Sequence, residues 1–310
     1  MGNGKSFRKC RMSRRFTKLI ISIILLNCWV FSSGSYEFLL FPKDARSLSL
    51  NNTTSAYDGS YLQNNPAVLS MLSRGVAYTY FIFPASIHCG TVQRVNKSKA
   101  GIIASKLSFL SYGEIMDSKT ERKVHAFDAL LEIGYKKEIK NITSVGMSGG
   151  YLFSSIGGFH SQLLFSNCGV RSRLLQKRLG IGFSLENIGI ILKSYTDYKE
   201  SIPALFRTSF YYKPIYIPLI INGDIIRKLD ENIFYFSGGL EFTFDNRVVV
   251  RLGSKTNERI KSFQDFTSDL IEGISSGIGF RFTKMTLDVG LMNLAPAGFV
   301  MCFSLTKKLD

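Results

Sequence analysis

"MTLDVGL", residues 285–291, decides the fold class. One set of alternate positions reads Met285, Leu287, Val289 and Leu291; the other reads Thr286, Asp288 and Gly290. Successive side chains of a strand point to opposite faces, so this is a strand with one apolar and one polar side. The pattern recurs nearby. Phe299, Met301, Phe303 and Leu305 alternate with Val300, Cys302, Ser304 and Thr306. Ile278, Phe280 and Phe282 alternate with Gly279, Arg281 and Thr283, and Leu240, Phe242 and Phe244 with Gly239, Glu241 and Thr243.

Working outward, segments of this kind fall near 76–83, 86–94, 101–112, 124–138, 143–154, 160–168 and 177–187. A second group falls near 203–213, 217–226, 232–244, 247–254, 275–283, 285–293 and 298–307. The count is about 14, even as bacterial barrels require. Residues 257–272 are charged and strand-poor and read as a long loop holding a short helix. A soluble sandwich also alternates. Here the strands follow one another almost without helices, and many have the roughly 9–11 residues a tilted strand needs to cross a bilayer. Aromatics gather near strand ends, as in Tyr78-Thr79-Tyr80-Phe81 and Phe210-Tyr211-Tyr212, the composition of interfacial girdles. No stretch after residue 75 approaches 18 consecutive apolar residues. In lipid a strand-built span must close on itself to pair every backbone group, so a transmembrane antiparallel β-barrel, all-β in class, is expected.

The front of the chain agrees with export. A basic stretch ending at Lys18 precedes an apolar run from Leu19 to Phe31 and the small residues Ser32-Ser33-Gly34-Ser35. This is the pattern of a secretory signal peptide over 1–35, cleaved after Ser35, with Met1 and Met12 both serviceable starts. The leader carries seven cations and no acid, so without it the formal charge of +16 falls to +9. That remainder is spread along the chain with no basic block and no RNP-like motif, which argues against a nucleic-acid partner. Cys89, Cys168 and Cys302 are too widely spaced for a disulfide framework or a metal site.

Between leader and strands lies "DARSLSLNNTTSAYDGSYLQNNPAVLS", residues 44–70, polar and without alternation. Such a segment cannot face lipid. Asn65 followed by Pro66 and Ala67 reads as a cap, a proline at the first helical position and a short helix. A barrel of this width leaves a lumen to fill, so residues 36–75 are expected to form an N-terminal hatch, with the barrel over 76–310. Arg46 is its expected anchor, forking onto a lumen carboxylate from Asp224, Glu241 or Asp288. Those three acids, with Arg251 and Arg281, fall on the non-lipid faces of late strands, and Glu241 is expected to pair with Arg251. They form either a charge network pinning register and hatch or an ion or ligand path.

The stretch "YEFLLFPKDARSLSLNNTTSAYDGSYLQNNPAVLS" resembles the N-terminal signature of the PorV/PorQ family, within the FadL-like superfamily of outer-membrane barrels. Phe38-Leu39, Pro42, Ala45-Arg46, Asp58 and Asn65-Pro66-Ala67 match, while Asn51-Asn52 replaces the family's Gly-Gly. Ser111-Tyr112-Gly113, Asn187-Ile188-Gly189, Ser194-Tyr195-Thr196-Asp197, Ile202-Pro203 and "SGIGFRFTKMTLDVGL" extend the likeness, which leans toward the PorQ branch. The resemblance implies a barrel of the type IX secretion system, a scaffold for attaching secreted cargo with PorZ-like and PorU-like partners. The alternative is a FadL-like transporter of hydrophobic small molecules through the outer membrane. A transporter should show an apolar pocket behind the hatch and a kinked wall strand; a scaffold should show a filled lumen.

Catalysis finds no assembled constellation. Ser6…Lys9 lies in the leader and Ser304…Lys307 on the last strand, and both lack the partner elements of a serine–lysine nucleophile site. His88, His125 and His160 make no metal motif, and Gly180-Ile181-Gly182 lacks the rest of a dinucleotide fingerprint. No enzyme, cofactor or metal is expected; the surrounding partner is outer-membrane lipid.

Overall fold

The computed structural model describes residues 36–309 apart from 54–55, 58–61, 70–73, 117–122, 140–141, 197–199, 231–232, 257–272 and 295–296. Fourteen strands form one closed antiparallel barrel. They are β1 (Arg74–Phe83), β2 (Ile87–Lys97), β3 (Ile102–Met116), β4 (Lys123–Ile139), β5 (Thr143–Ile156), β6 (Phe159–Leu174) and β7 (Leu179–Lys193). The circuit continues with β8 (Leu205–Tyr212), β9 (Leu219–Lys228), β10 (Phe234–Phe244), β11 (Val248–Lys255), β12 (Ser275–Arg281), β13 (Met285–Asn293) and β14 (Phe299–Lys308). Each strand pairs with its sequence neighbours, and β1 closes on β14 from Gly75↔Lys308 to Ile82↔Met301. The first strand starts at Arg74, two residues before the expected barrel boundary.

Alternation explains why these segments pair this way. Along β14, Phe299, Met301 and Phe303 are exposed while Val300, Cys302 and Ser304 are buried. Leu107, Phe109, Ile133, Met147, Ile190, Phe236 and Leu252 likewise point outward, and together they make the apolar belt of a lipid-facing wall. Thr283, expected on an inner face, lies instead in the β12–β13 turn, because β12 ends at Arg281. Cys89 and Cys302 are buried and Cys168 is exposed on the outer face.

The two barrel ends differ. At the end where β1 begins and β14 finishes, connections run three to six residues. At the other end the β7–β8 connection spans 194–204 and the β11–β12 connection spans 256–274. Short turns face the periplasm and long loops the cell surface in outer-membrane barrels, which orients the molecule. The loop expected over 257–272, with its short helix, lies outside the described residues.

Two wall strands carry irregularities. In β3 the register shifts between Ser111 and Glu114, where Gly113 takes a left-handed conformation (φ 72°). In β7 it shifts opposite Ser166–Cys168, where Asn187 is left-handed (φ 58°). Such bulges bend a strand and re-aim its side chains.

Candidate functional site

The described residues between 36 and 69 lie inside the barrel, Phe38 and Leu39 toward the surface end and Ala67 and Leu69 toward the periplasmic end. Their middle part is held by directed bonds. Asp44 caps the short helix Ala45–Ser49 in a capping box: its carboxylate accepts from the Ser47 N–H (2.6 Å) and Ser47 Oγ accepts from the Asp44 N–H (2.9 Å). The sequence signal for this helix was an Asp three residues before a Ser. The wall then reaches for the backbone. The Ala45 N–H donates to Ser304 Oγ (2.9 Å), Ser275 Oγ donates to the Ser49 carbonyl (3.1 Å), and the Leu62 N–H donates to Gln93 Oε1 (3.1 Å). Lower down, Ser144 Oγ donates to the Ala67 carbonyl (2.9 Å) and Lys136 Nζ to the Leu69 carbonyl (2.8 Å).

Asn65 and Pro66 start a single 3₁₀ turn, Pro66–Val68, with the Asn65 side chain accepting from the Ala67 N–H (2.9 Å). Ala67 is fully buried. The turn and the helix Ala45–Ser49 each sit against a wall glycine where a side chain would not fit. A Cβ on Gly146 would lie 2.3 Å from the Pro66 carbonyl carbon, and one on Gly290 would lie 2.6 Å from the Ala45 oxygen.

Arg46 reaches Glu241: its Nε lies 2.8 Å from Oε2. Burial alone would lower the Arg46 pKa, but the Glu241 carboxylate outweighs it and holds the guanidinium firmly charged. The same Oε2 accepts from Arg251 Nε at 2.7 Å, and Arg251 Nη1 reaches Asp288 Oδ1 at 2.6 Å. Glu241 and Arg251 are direct cross-strand partners. Arg281 stands at the rim of this group, half-exposed and 3.8 Å from Glu241. Asp224 does not join it. It belongs to a second group in which Arg207 binds Glu186 through two nitrogens (2.8 and 3.1 Å) and Asp224 through a third (3.0 Å). One network was expected and two are found. Arg207 also donates to the Asn52 carbonyl (3.3 Å), so both groups touch the segment. Glu186 and Arg207 sit in no motif; both take inward positions on regularly paired strands, Glu186 opposite Leu205 and Arg207 opposite Ser184. Asp58, the remaining hatch-motif residue, lies outside the described residues.

The first eight residues are held differently. Phe38 and Leu39 pack among Phe81, Phe83, Leu110, Leu130, Leu163 and Val300, all facing the surface half of the lumen. The Phe41 and Phe83 rings lie 5.0 Å apart. Directed bonds are few here. The Tyr36 hydroxyl donates to Glu200 in the β7–β8 loop and also meets Ser161. Burial and the Glu200 carboxylate push its pKa above the ordinary phenol value. Lys43 Nζ donates to the Leu39 carbonyl (2.8 Å). Desolvation, then the neighbouring Lys106 ammonium, lowers Lys43 to about 7. Two small voids flank Lys43, each with room for about one water molecule. One is bordered by Phe38, Phe41, Phe81 and Phe83, the other by Leu39, Gln63, Asn64, Asn167 and Glu186.

A closed fourteen-stranded antiparallel wall with an apolar outer belt is the fold of an outer-membrane β-barrel. No family model and no curated protein sequence matches the chain. Solved structures match it over nearly their whole lengths. The CymD monoaromatic hydrocarbon channel aligns with a TM-score of 0.63 and 11% identity, over 86% of this chain and 97% of that one. The Pseudomonas putida toluene transporter TodX aligns with a TM-score of 0.63 and 11% identity, over 91% and 100%. The Ralstonia pickettii toluene transporter TbuX aligns with a TM-score of 0.62 and 11% identity, over 88% and 100%. Identity this low carries the fold alone. These three neighbours are described as a channel and two transporters.

Proposed function

We propose that the protein is a gated outer-membrane channel for hydrophobic small molecules, with the N-terminal segment as its plug. One observation carries the reading: the surface half of the lumen is apolar and aromatic, yet it is filled by Phe38, Leu39 and Phe41 of a threaded segment rather than by the wall itself. Withdrawal of those side chains would leave an apolar chamber lined by Phe81, Phe83, Leu110, Leu130 and Leu163. Ligand pockets are mostly apolar with a few placed polar groups, and Lys43 and Thr91 supply such groups here. The bulges in β3 and β7 give the wall the kinks such a channel needs. The neighbouring folds described as toluene transporters and a hydrocarbon channel favour the same class.

A second reading has its own support. The clamping of the described residues of 44–69 suits a static barrel serving as a scaffold in a type IX secretion attachment complex with PorZ-like and PorU-like partners. One experiment separates the two. Uptake of a radiolabelled monoaromatic hydrocarbon is compared in cells with and without the gene, and the solubilised protein is probed for stoichiometric partners. Gene-dependent uptake supports the channel. Unchanged uptake together with a stoichiometric surface-protein partner replaces it by the scaffold.

A further inference from the structure

The barrel gathers cations at its periplasmic end. The described short turns carry Lys99, Lys177, Lys213, Arg247 and Lys284, one or more for each hairpin from β2–β3 to β12–β13 except β4–β5. There the cation is Lys137, near the end of β4. Among the described residues of these turns and the two strand positions flanking each, the acids are Glu138 and Asp245. Glu138 is already held by Arg173 at 2.7 Å.

Three of the cations stand on the outer wall. Arg94 is exposed two positions after the outward-facing Val92, Lys137 two after Tyr135, and Lys307 two after Leu305. Each therefore occupies the next lipid-facing position beyond an apolar or aromatic one, at the level where the belt gives way to headgroups. Arg94 and Lys307 are both register partners of Val76, from opposite sides. Two inter-strand spacings put their backbones roughly 10 Å apart in one row. Long basic side chains at such a depth extend toward the interface and keep their charged ends at phosphate level.

We propose that this rim is a binding surface for anionic phospholipid headgroups of the periplasmic leaflet, with Arg94, Lys137 and Lys307 as its lipid-facing contacts. An acidic protein would meet the turns but would not reach cations on the outer wall. A basic rim beside anionic lipid gains attraction from each cation near the surface and loses it with salt. The inference is independent of what, if anything, passes through the lumen.

The test uses the mature protein folded in phosphatidylcholine vesicles, with spin-labelled phosphatidylglycerol and phosphatidylcholine as probes. Annular association is read by electron paramagnetic resonance. Phosphatidylglycerol should associate roughly fivefold more strongly at low ionic strength. The preference should shrink in high salt and vanish in the triple variant Arg94→Gln, Lys137→Gln, Lys307→Gln, with the heat-dependent gel shift of a closed barrel retained. Should the triple variant not fold, Lys307→Gln alone should reduce the preference measurably. Equal association of the two lipids, or a preference that survives the substitutions, overturns the proposal and leaves the rim to an acidic protein partner. Inorganic phosphate is compared with chloride at matched ionic strength. If phosphate displaces the lipid more effectively, the cations form a site for the free anion and the proposal fails.

Discussion

The described residues of 44–69 and residues 36–43 are held by the barrel in different proportions of directed and apolar contact. The first part packs Leu48, Leu62 and Leu69 into apolar clusters, and charges and hydroxyls also bond its backbone and its one arginine in fixed directions. The second lies among phenylalanines and leucines, with Tyr36 at one end and Lys43 at the other. Directed, desolvated bonds break all at once and leave buried charge behind. Apolar packing is non-directional, so another apolar body can take the place of the one removed. The clamped part is therefore suited to stay and the tip to leave.

The largest effect expected from breaking this contrast comes from Glu241→Ala. It strips a fully buried carboxylate from between Arg46 and Arg251, a change that costs about 3–5 kcal/mol in comparable buried pairs. Thermal midpoints from heat-dependent gel mobility should fall, and proteolysis within 44–69 should rise in barrels that remain closed. No change in either would mean the clamp lies elsewhere.

Next comes Gly146→Val. Its side chain would collide with the Pro66 backbone, and overpacking of this kind costs typically 1–3 kcal/mol. Cleavage near residues 62–69 should increase while cleavage within 36–43 stays as in the parent. If both regions open together, the segment moves as one body and the division into clamp and tip is wrong.

The tip should respond to pH. Docked, Lys43 loses its proton near pH 7, whereas a released lysine keeps it until about 10.5. Below the docked value both forms are charged and docking bears the full desolvation cost. Between the two values the docked amine is neutral while the released one still binds a proton, so docking strengthens as pH rises through this window. Protease access to residues 36–43 should thus fall from pH 6 to pH 9, and Lys43→Met should remove the dependence. Access that rises with pH would contradict the assignment.

The smallest effect is expected from Tyr36→Phe, which removes one partly buried hydroxyl and its bonds to Glu200 and Ser161, roughly 1 kcal/mol. Cleavage of the tip should rise modestly and the thermal midpoint should hold. A large drop in the midpoint would make Tyr36 a structural anchor of the barrel.

The strands were legible in the sequence because alternation is local: a residue's face depends only on its parity within its strand, and each hairpin pairs neighbours. That is why Met285, Leu287, Val289 and Leu291 announce an outer wall and Asp288 and Gly290 an inner one, and why fourteen strands could be counted. Asn65 before Pro66 was equally local. The carboxylate that Arg46 meets was not. Arg46 and Glu241 are 195 positions apart, and three lumen acids were equally eligible until the path of the threaded segment chose one. Arg207 and Glu186 sit 21 positions apart in no motif, and it is the register of β7 on β8 that brings them together. Charge shows the divide most clearly. Along residues 36–310 the cations form no block. Antiparallel hairpins return every second turn to the same end of the barrel, and only that closure collects scattered lysines and arginines into one basic rim.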